Sequence, residues 1–276
     1  MQWPPPEAFV IAGVLLAFFV QWLRKPRRAK QRHAAPPAWR EQVYALVPQT
    51  QYLTAAQRPR YEHCVEEFLQ GKRFIGCGGL TVDDDMRIAV AGLAGLMLLR
   101  SHASVFPMLH SVLLYPDRFF VHSDEPDELG LVNDEPVEHL GESWQGDRVA
   151  LSWADVQAAL DGDEVNVVVH EFAHQLDDEN PETEGAPAMR DYARWSEIMD
   201  REFRRLQRHR RPPVLDPYGA ESPGEFFGVV SEAYFQRGFE LRQHHAELYE
   251  LLRDYYQLDT ASHSPWAVRV VEPGGR

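Results

Sequence analysis

The sequence predicts an α+β fold in which a small sheet precedes a mostly helical C-terminal half. Short apolar runs separated by Pro, Asp and Gly occupy residues 105–153, a texture typical of short strands. From residue 156 onward, apolar residues recur at spacings of three and four, which indicates amphipathic helices. Ahead of this domain, a sixteen-residue apolar run from Ala8 to Leu23 predicts one N-terminal transmembrane helix.

The flanks of the apolar run predict how the chain would sit in a membrane. Trp3 and Trp22 lie near its two ends, as amphipathic rings do at membrane interfaces. Six basic residues follow the run within residues 24–32, whereas a cleaved signal peptide carries its basic residues before the apolar stretch. The positive-inside rule therefore predicts a single-pass protein of the inner (cytoplasmic) membrane, with the domain in the cytoplasm. The alternative is a hydrophobic helix docked on the domain.

Composition limits the classes of function. The chain has 276 residues, of which 44% are hydrophobic and 25% charged, so it can bury a sizeable core. Its net charge of -14 argues against direct nucleic-acid binding, because phosphate contacts need a basic surface. The only two cysteines, Cys64 and Cys77, argue against a disulfide framework and fit a reducing compartment.

The chain divides into four predicted segments. Residues 1–32 form the membrane anchor and its basic juxtamembrane part, 33–40 a linker, 41–260 the folded domain and 261–276 a C-terminal tail. The linker is inferred from the HAAPP stretch. Helices are predicted at residues 54–71, 88–99, 189–209, 223–236 and 241–258, and strands at 112–115, 119–121 and 149–151.

The stretch His170-Glu171-Phe172-Ala173-His174 carries the strongest chemical signal. An apolar stripe at helical spacing predicts a buried helix face, formed by Val165, Val168, Val169, Phe172, Ala173 and Leu176. His170 and His174 lie off this stripe, one helical turn apart, so both imidazoles can reach one zinc ion. Glu171 can reach a metal-bound water without binding the metal. This arrangement is the His-Glu-x-x-His pattern of zinc proteases.

A catalytic zinc ion usually has three protein ligands and one open position. No third histidine follows at the short metzincin spacing, so the third ligand is expected further downstream, from Glu221, Glu225 or Glu232. Spacing alone does not choose among them. The stretch 222–225 is also a good helix start, with Ser as N-cap, Pro at the first helical position and Glu at the third. A capping-box role is therefore an equally good interpretation of Glu225.

Two stretches of the chain resemble a known family. HEFAHQLD (170–177) and DPYGAESPGEFF (216–227), preceded by LSWADV, resemble the bacterial Mlc titration factor A family, whose members are gluzincin-type peptidases similar to the catalytic domain of anthrax lethal factor. The resemblance covers most of residues 40–260 and implies a zincin-like metallopeptidase domain. It also implies Glu225 as the third metal ligand and Tyr218 as a side chain facing the reacting carbonyl. The predicted membrane anchor departs from the soluble members of that family.

The resulting hypothesis is zinc-dependent hydrolysis of a peptide or protein substrate. Zinc would lower the pKa of its water toward about 7, Glu171 would act as general base, and Tyr218 would stabilise the oxyanion. The alternative is a regulatory binding protein that sequesters a transcriptional regulator, as the family name implies, with weak or vestigial peptidase activity.

Several other residues have open interpretations. Asp177, Asp178 and Glu232 are candidates to hold a ligand imidazole in place, although a solvated or capping role is favoured for the two aspartates. The pair His244-His245 is predicted to be solvated. The sequence shows no obvious inhibitory segment, although residues 258–276 could lie over the cleft.

Overall fold

The computed structural model describes residues 33–100, 103–117, 119–121, 137–139, 141–144, 147–180, 183–189, 191–208, 213–263 and 265. The predicted membrane anchor, residues 1–32, lies outside these ranges. Among the described residues, no helix is both long enough and apolar enough to cross a membrane.

Helices dominate the described chain. They are α1 (Trp39–Leu46), α2 (Arg58–Gly71), α3 (Asp84–Leu96), α4 (Trp153–Asp161), α5 (Val167–Asp177), α6 (Tyr192–Arg208), α7 (Pro223–Gln236), α8 (Gly238–His244) and α9 (Ala246–Tyr256), with 3-10 helices at Pro48–Tyr52 and Pro217–Ala220. Side-chain caps fix several of their starts. Asp83, Ser152 and Asn166 accept hydrogen bonds from backbone amides in the first turns of α3, α4 and α5.

The sheet is small and mixed. Its strands are β1 (Arg73–Gly76), β2 (Ser111–Tyr115), β5 (Gly141–Trp144) and β6 (Arg148–Ser152), in the order β1-β2-β6-β5. The first three in this order are parallel, whereas β5 pairs with β6 in the antiparallel sense. Two further strands, β3 (Phe119–Val121) and β4 (Val137–His139), form a separate antiparallel pair. The predicted small sheet ahead of a mostly helical half is confirmed.

Helix α5 runs through the core. The ring of Phe172 lies 4.6 Å from the ring of Phe106 and 5.5 Å from that of Phe68, and all three side chains are buried. The predicted apolar stripe is confirmed except at Val165, which is 39% exposed. The reason is that α5 begins only at Val167, after its N-cap Asn166, so Val165 precedes the helix.

The single helix predicted over residues 241–258 is wrong. His245 separates α8 from α9 with a non-helical backbone (φ −141°, ψ 58°). Its ring is buried and its Nδ1 lies 2.7 Å from Oε2 of Glu202 on α6. The prediction of a solvated histidine pair is therefore wrong for His245, while His244 is exposed as expected.

The chain after α9 packs against the first 3-10 helix, Pro48–Tyr52. Gln51 donates a hydrogen bond to the carbonyl oxygen of Pro265 (3.1 Å), and the ring of His263 lies 5.3 Å from the ring of Tyr52. Tyr234 of α7 donates to the carbonyl oxygen of Leu258. These contacts fix the described part of the predicted tail on the fold, and residues 266–276 lie outside the described residues.

Candidate metal centre

The centre lies where α5 and α7 pack against each other. His170 and His174 lie on α5, Glu225 and Glu232 on α7, and Tyr218 on the 3-10 helix that leads into α7. Because His170 and His174 are four residues apart, their rings lie on the same side of α5, with centroids 4.9 Å apart.

One carboxylate oxygen reaches both histidines. Oε2 of Glu225 lies 2.9 Å from Nε2 of His170 and 3.6 Å from Nε2 of His174. One donor atom from each of these three residues lies within 4.8 Å of the other two. Two imidazoles and one carboxylate that converge in this way form a suitable donor set for a divalent transition metal.

The two interpretations of Glu225 apply to different parts of the residue. Its backbone amide donates to Oγ of Ser222 (3.1 Å), so the predicted N-cap of α7 is confirmed. Its carboxylate does not complete the capping box but lies against the two histidines. Of the other two candidates, Glu221 is exposed at the end of the 3-10 helix, and Glu232 contacts His170 on the opposite nitrogen.

Hydrogen bonds on both nitrogens control the charge of His170. Nδ1 lies 2.6 Å from Oε1 of Glu232, and Nε2 faces Glu225. Burial acts to lower the pKa of His170, but the hydrogen bonds to the two carboxylates outweigh it and raise the pKa to about 10. Burial acts to raise the pKa of Glu225, yet its contacts with His170 and His174 hold it well below its usual range. The two carboxylates therefore favour a protonated His170, and metal binding on Nε2 would require loss of a proton from that nitrogen.

Glu171 is a buried acid beside the first histidine. It is 5% exposed, and its Oε2 has no hydrogen-bond partner among the described residues. Burial raises the pKa of Glu171 to about 7, against the opposing charges of the two histidines. A carboxyl group with a pKa near neutrality can both accept and release a proton, as a general base requires.

Tyr218 lies at the open side of the centre. It is 47% exposed, and its ring centroid is 6.0 Å from that of His170. Burial and the negative charge of Glu225 raise the pKa of Tyr218 to about 12, so its phenol stays protonated and can donate a hydrogen bond. Asp216 orients the segment, because its Oδ1 accepts from the backbone amide of Tyr218 (2.8 Å).

The two aspartates after the motif stabilise the backbone or face solvent. Asp177 accepts hydrogen bonds from the amides of Gly185 and Ala186, both at 2.8 Å. Asp178 is exposed at the end of α5. The solvated interpretation is confirmed for Asp178, whereas Asp177 is half-buried and holds the loop that follows α5.

Two residues near His170 were not predicted. Asn166 donates its backbone amide to Oε2 of Glu232 (2.6 Å), and Gln236 binds the side chain of Asn166 (3.2 Å). Asn166 precedes a run of valines, and asparagine is a favoured N-cap, so the cap itself is readable from the sequence. Nothing in the local pattern around Gln236 indicates its partners, which come from distant parts of the chain.

Comparisons with known proteins agree with this geometry. The family model described as glucose-regulated metallo-peptidase M90 matches residues 20–257. The chain is similar to an uncharacterized protein of Synechocystis sp., with 34% identity over 268 residues (92% of this chain and 98% of the relative). It is also similar to Mlc titration factor A of Shigella dysenteriae and of Escherichia coli, with 28% identity over 248 residues (87% of this chain and 92% of each relative). The resemblance inferred from the two stretches is confirmed, and the chain belongs to the glucose-regulated metallo-peptidase M90 family.

Proposed function

We propose that this protein is a zinc-dependent peptidase that hydrolyses peptide bonds at the centre formed by His170, His174 and Glu225. The observation that carries the proposal is the approach of Oε2 of Glu225 to Nε2 of both histidines, at 2.9 and 3.6 Å. Membership of a metallopeptidase family supports the same reaction class.

The donor set favours zinc. Two histidines and one glutamate are the protein ligands of a well-known type of catalytic zinc site, which leaves one coordination position open. Zinc held there would polarise the scissile carbonyl and lower the pKa of a water molecule. The three side chains come from two helices packed against each other, so the donors are held on a rigid frame.

Glu171 is the proposed general base. Its charge interacts with those of His170, His174 and Glu225, and its buried Oε2 has no competing partner among the described residues. It would take the proton from the attacking water on a carboxylate oxygen and pass it to the leaving amine. A pKa near 7 suits both steps at neutral pH.

Tyr218 is the proposed oxyanion donor. Its phenol is protonated at neutral pH and lies on the exposed side of the centre, where a substrate carbonyl can approach. A hydrogen bond to the oxygen that gains negative charge stabilises the transition state more than the substrate.

The decisive test is Glu171→Gln, assayed with a mixed fluorogenic peptide library on zinc-loaded protein. We expect the variant to bind one zinc ion as the wild type does, and to lose turnover by about 10²–10⁴-fold. Glu197→Gln, on the exposed side of α6, is the matched control and should keep full activity. Retained turnover in Glu171→Gln would contradict the mechanism.

A second candidate function comes from the name of the relatives. Proteins called Mlc titration factor A are named for titrating Mlc, so we propose, as the alternative, that this chain sequesters a transcriptional regulator. Binding of a purified regulator to the double variant His170→Ala, His174→Ala separates the two functions. Binding that survives, together with no detectable hydrolysis by the wild type, would favour the regulatory role.

We further propose that residues 8–23 anchor the protein in the inner membrane with the domain in the cytoplasm. The support is the sequence alone, with its apolar run and the basic residues that follow it. A chain lacking residues 1–32 should then move from the membrane fraction to the soluble fraction. Equal distribution of both forms would contradict the anchor.

A further inference from the structure

We propose that four buried polar residues, Glu232, Asn166, Gln236 and Gln49, form a hydrogen-bonded chain that positions His170 for metal binding. Each is at most 8% exposed. The proposal rests on the proposed function, because it assigns positioning residues to the same centre. Glu232 acts directly on the imidazole, whereas Gln236 and Gln49 act through Asn166.

The two oxygens of Glu232 each have a donor. Nδ1 of His170 donates to Oε1 (2.6 Å), and the backbone amide of Asn166 donates to Oε2 (2.6 Å). With Nδ1–H held by Glu232, the imidazole directs Nε2, the atom that would bind the metal, to the side where Glu225 lies. A glutamine at position 232 has only one acceptor oxygen, so it cannot satisfy both donors.

The side-chain amide of Gln236 donates two hydrogen bonds and accepts two. Its Nε2 donates to the carbonyl oxygens of Ala159 (3.0 Å) and Asp163 (2.6 Å). Its Oε1 accepts from Nδ2 of Asn166 (3.2 Å) and from Nε2 of Gln49 (2.8 Å). An amide held by four hydrogen bonds has one orientation, so it fixes the side chain of Asn166 as well.

Asn166 links Gln236 to the first turn of α5, which carries His170. Its Oδ1 accepts from the amide of Val169 (3.1 Å), and its carbonyl oxygen accepts from the amide of His170 (2.9 Å). The first turn of α5, which carries the first metal ligand, is therefore tied to Glu232 and Gln236 on α7. Through Gln49 it is also tied to the first 3-10 helix, 187 residues away from Gln236 along the chain.

The protein contains a matched control for the contact between Glu232 and His170. Glu202 and His245 form an equally short contact, with Nδ1 of the histidine 2.7 Å from the carboxylate, and both residues are 6% exposed. This pair joins α6 to the junction of α8 and α9 and includes none of the three candidate ligands. A general effect of removing a buried carboxylate should therefore appear in both variants, and a positioning effect in only one.

The test is the zinc dissociation constant, measured on the full chain by competition with a chromogenic chelator. Mutation of a carboxylate that holds a ligand histidine typically weakens metal binding by about 10–100-fold. Glu232→Gln should therefore raise the zinc dissociation constant by about 10–100-fold. Gln236→Met should raise it less, and Glu202→Gln should leave it within about twofold of the wild type. Wild-type affinity in Glu232→Gln, or an equal loss in Glu202→Gln, would overturn the proposal.

Two further measurements test the proposal even if the wild type binds no zinc or Glu232→Gln does not fold. In the metal-free protein, the resonances of the His170 Nδ1–H group report its hydrogen bond to Glu232, and Glu232→Gln should shift them while Glu202→Gln does not. Unshifted resonances overturn the positioning role, even where the wild type binds no zinc and the proposed function has failed. If Glu232→Gln does not fold, Glu232→Asp and Gln236→Met replace it, and unchanged zinc affinity in both overturns the proposal.

Discussion

Gly228 of α7 lies directly against the imidazole of His170. A Cβ atom at position 228 would stand 2.7 Å from Cε1 and 2.8 Å from Nδ1 of that ring, closer than non-bonded atoms approach. The absence of a side chain at Gly228 therefore lets α7 come close enough for Glu225 and Glu232 to reach the two nitrogens of one ring.

Gly228→Ala should weaken zinc binding and destabilise the fold. The added methyl group must displace His170 or separate α5 from α7, and overpacking of this kind typically costs about 1–3 kcal/mol. Alanine gains about 0.8–1.0 kcal/mol of helix propensity over glycine, so the net loss of unfolding free energy is smaller than the clash alone. Urea unfolding and zinc competition on the same variant measure the two effects.

Gly71→Ala is the matched control for this substitution. Gly71 is the last residue of α2, and a Cβ atom there would meet nothing within 4 Å. It should leave zinc affinity unchanged and stability equal or slightly higher. If Gly228→Ala behaves in the same way, the ring of His170 has room to move and the close approach is not required.

Tyr218→Phe should lower turnover without changing stability. Tyr218 is 47% exposed, so removal of its hydroxyl leaves no cavity in the core. Loss of one oxyanion donor typically costs about 10²–10³-fold in kcat, and KM should change little because the bond forms mainly in the transition state. Steady-state kinetics on one cleaved peptide gives both constants. Tyr192→Phe, at another partly exposed tyrosine, serves as control, and an unchanged kcat in Tyr218→Phe would exclude the role.

The pair His170 and His174 was predictable because helical spacing is a local property. Spacing did not predict which of Glu221, Glu225 and Glu232 lies against both histidines, since this depends on how α7 approaches α5. The capping pattern at Ser222 offered a correct but incomplete interpretation of Glu225, because the backbone amide and the carboxylate of one residue bind different partners.

In the fold too, features that depend on tertiary packing were not predictable from local sequence patterns. Short apolar runs predicted strands β2 and β6, but their parallel direction follows from tertiary packing. The break between α8 and α9 was missed, because leucine and tyrosine continue at helical spacing on both sides of His245. The partner that draws His245 inward, Glu202, is 43 residues earlier in the chain and leaves no local signal.

Phe172→Ala should destabilise the protein by about 3–5 kcal/mol, the usual cost of emptying a buried aromatic site. Phe172 is fully buried on the face of α5 opposite the histidines and packs between Phe106 and Phe68. Urea unfolding followed by circular dichroism measures the loss. Val165→Ala, at an exposed position just before α5, should change the free energy of unfolding by less than about 0.5 kcal/mol. Similar losses in the two variants would contradict the assigned core.

The pair of Glu202 and His245 predicts how stability depends on pH. Burial acts to raise the pKa of Glu202, but the hydrogen bond from His245 and the charges of His245, Arg205 and Arg201 outweigh it and lower the pKa below 4.5. A carboxyl group whose pKa is lower in the folded state adds stability that is present above the unfolded-state pKa and is lost as pH falls through the folded-state value.

The wild type should therefore lose unfolding free energy more steeply than Glu202→Gln below about pH 4.5. At neutral pH we expect Glu202→Gln to be less stable by about 1–3 kcal/mol, because the buried partner His245 loses a charged acceptor. Urea unfolding at pH values from about 3 to 7 tests both statements. Glu197→Gln, an exposed glutamate on the same helix, should follow the wild type throughout. Parallel curves for the wild type and Glu202→Gln would show that the ionised carboxylate contributes nothing to the folded state.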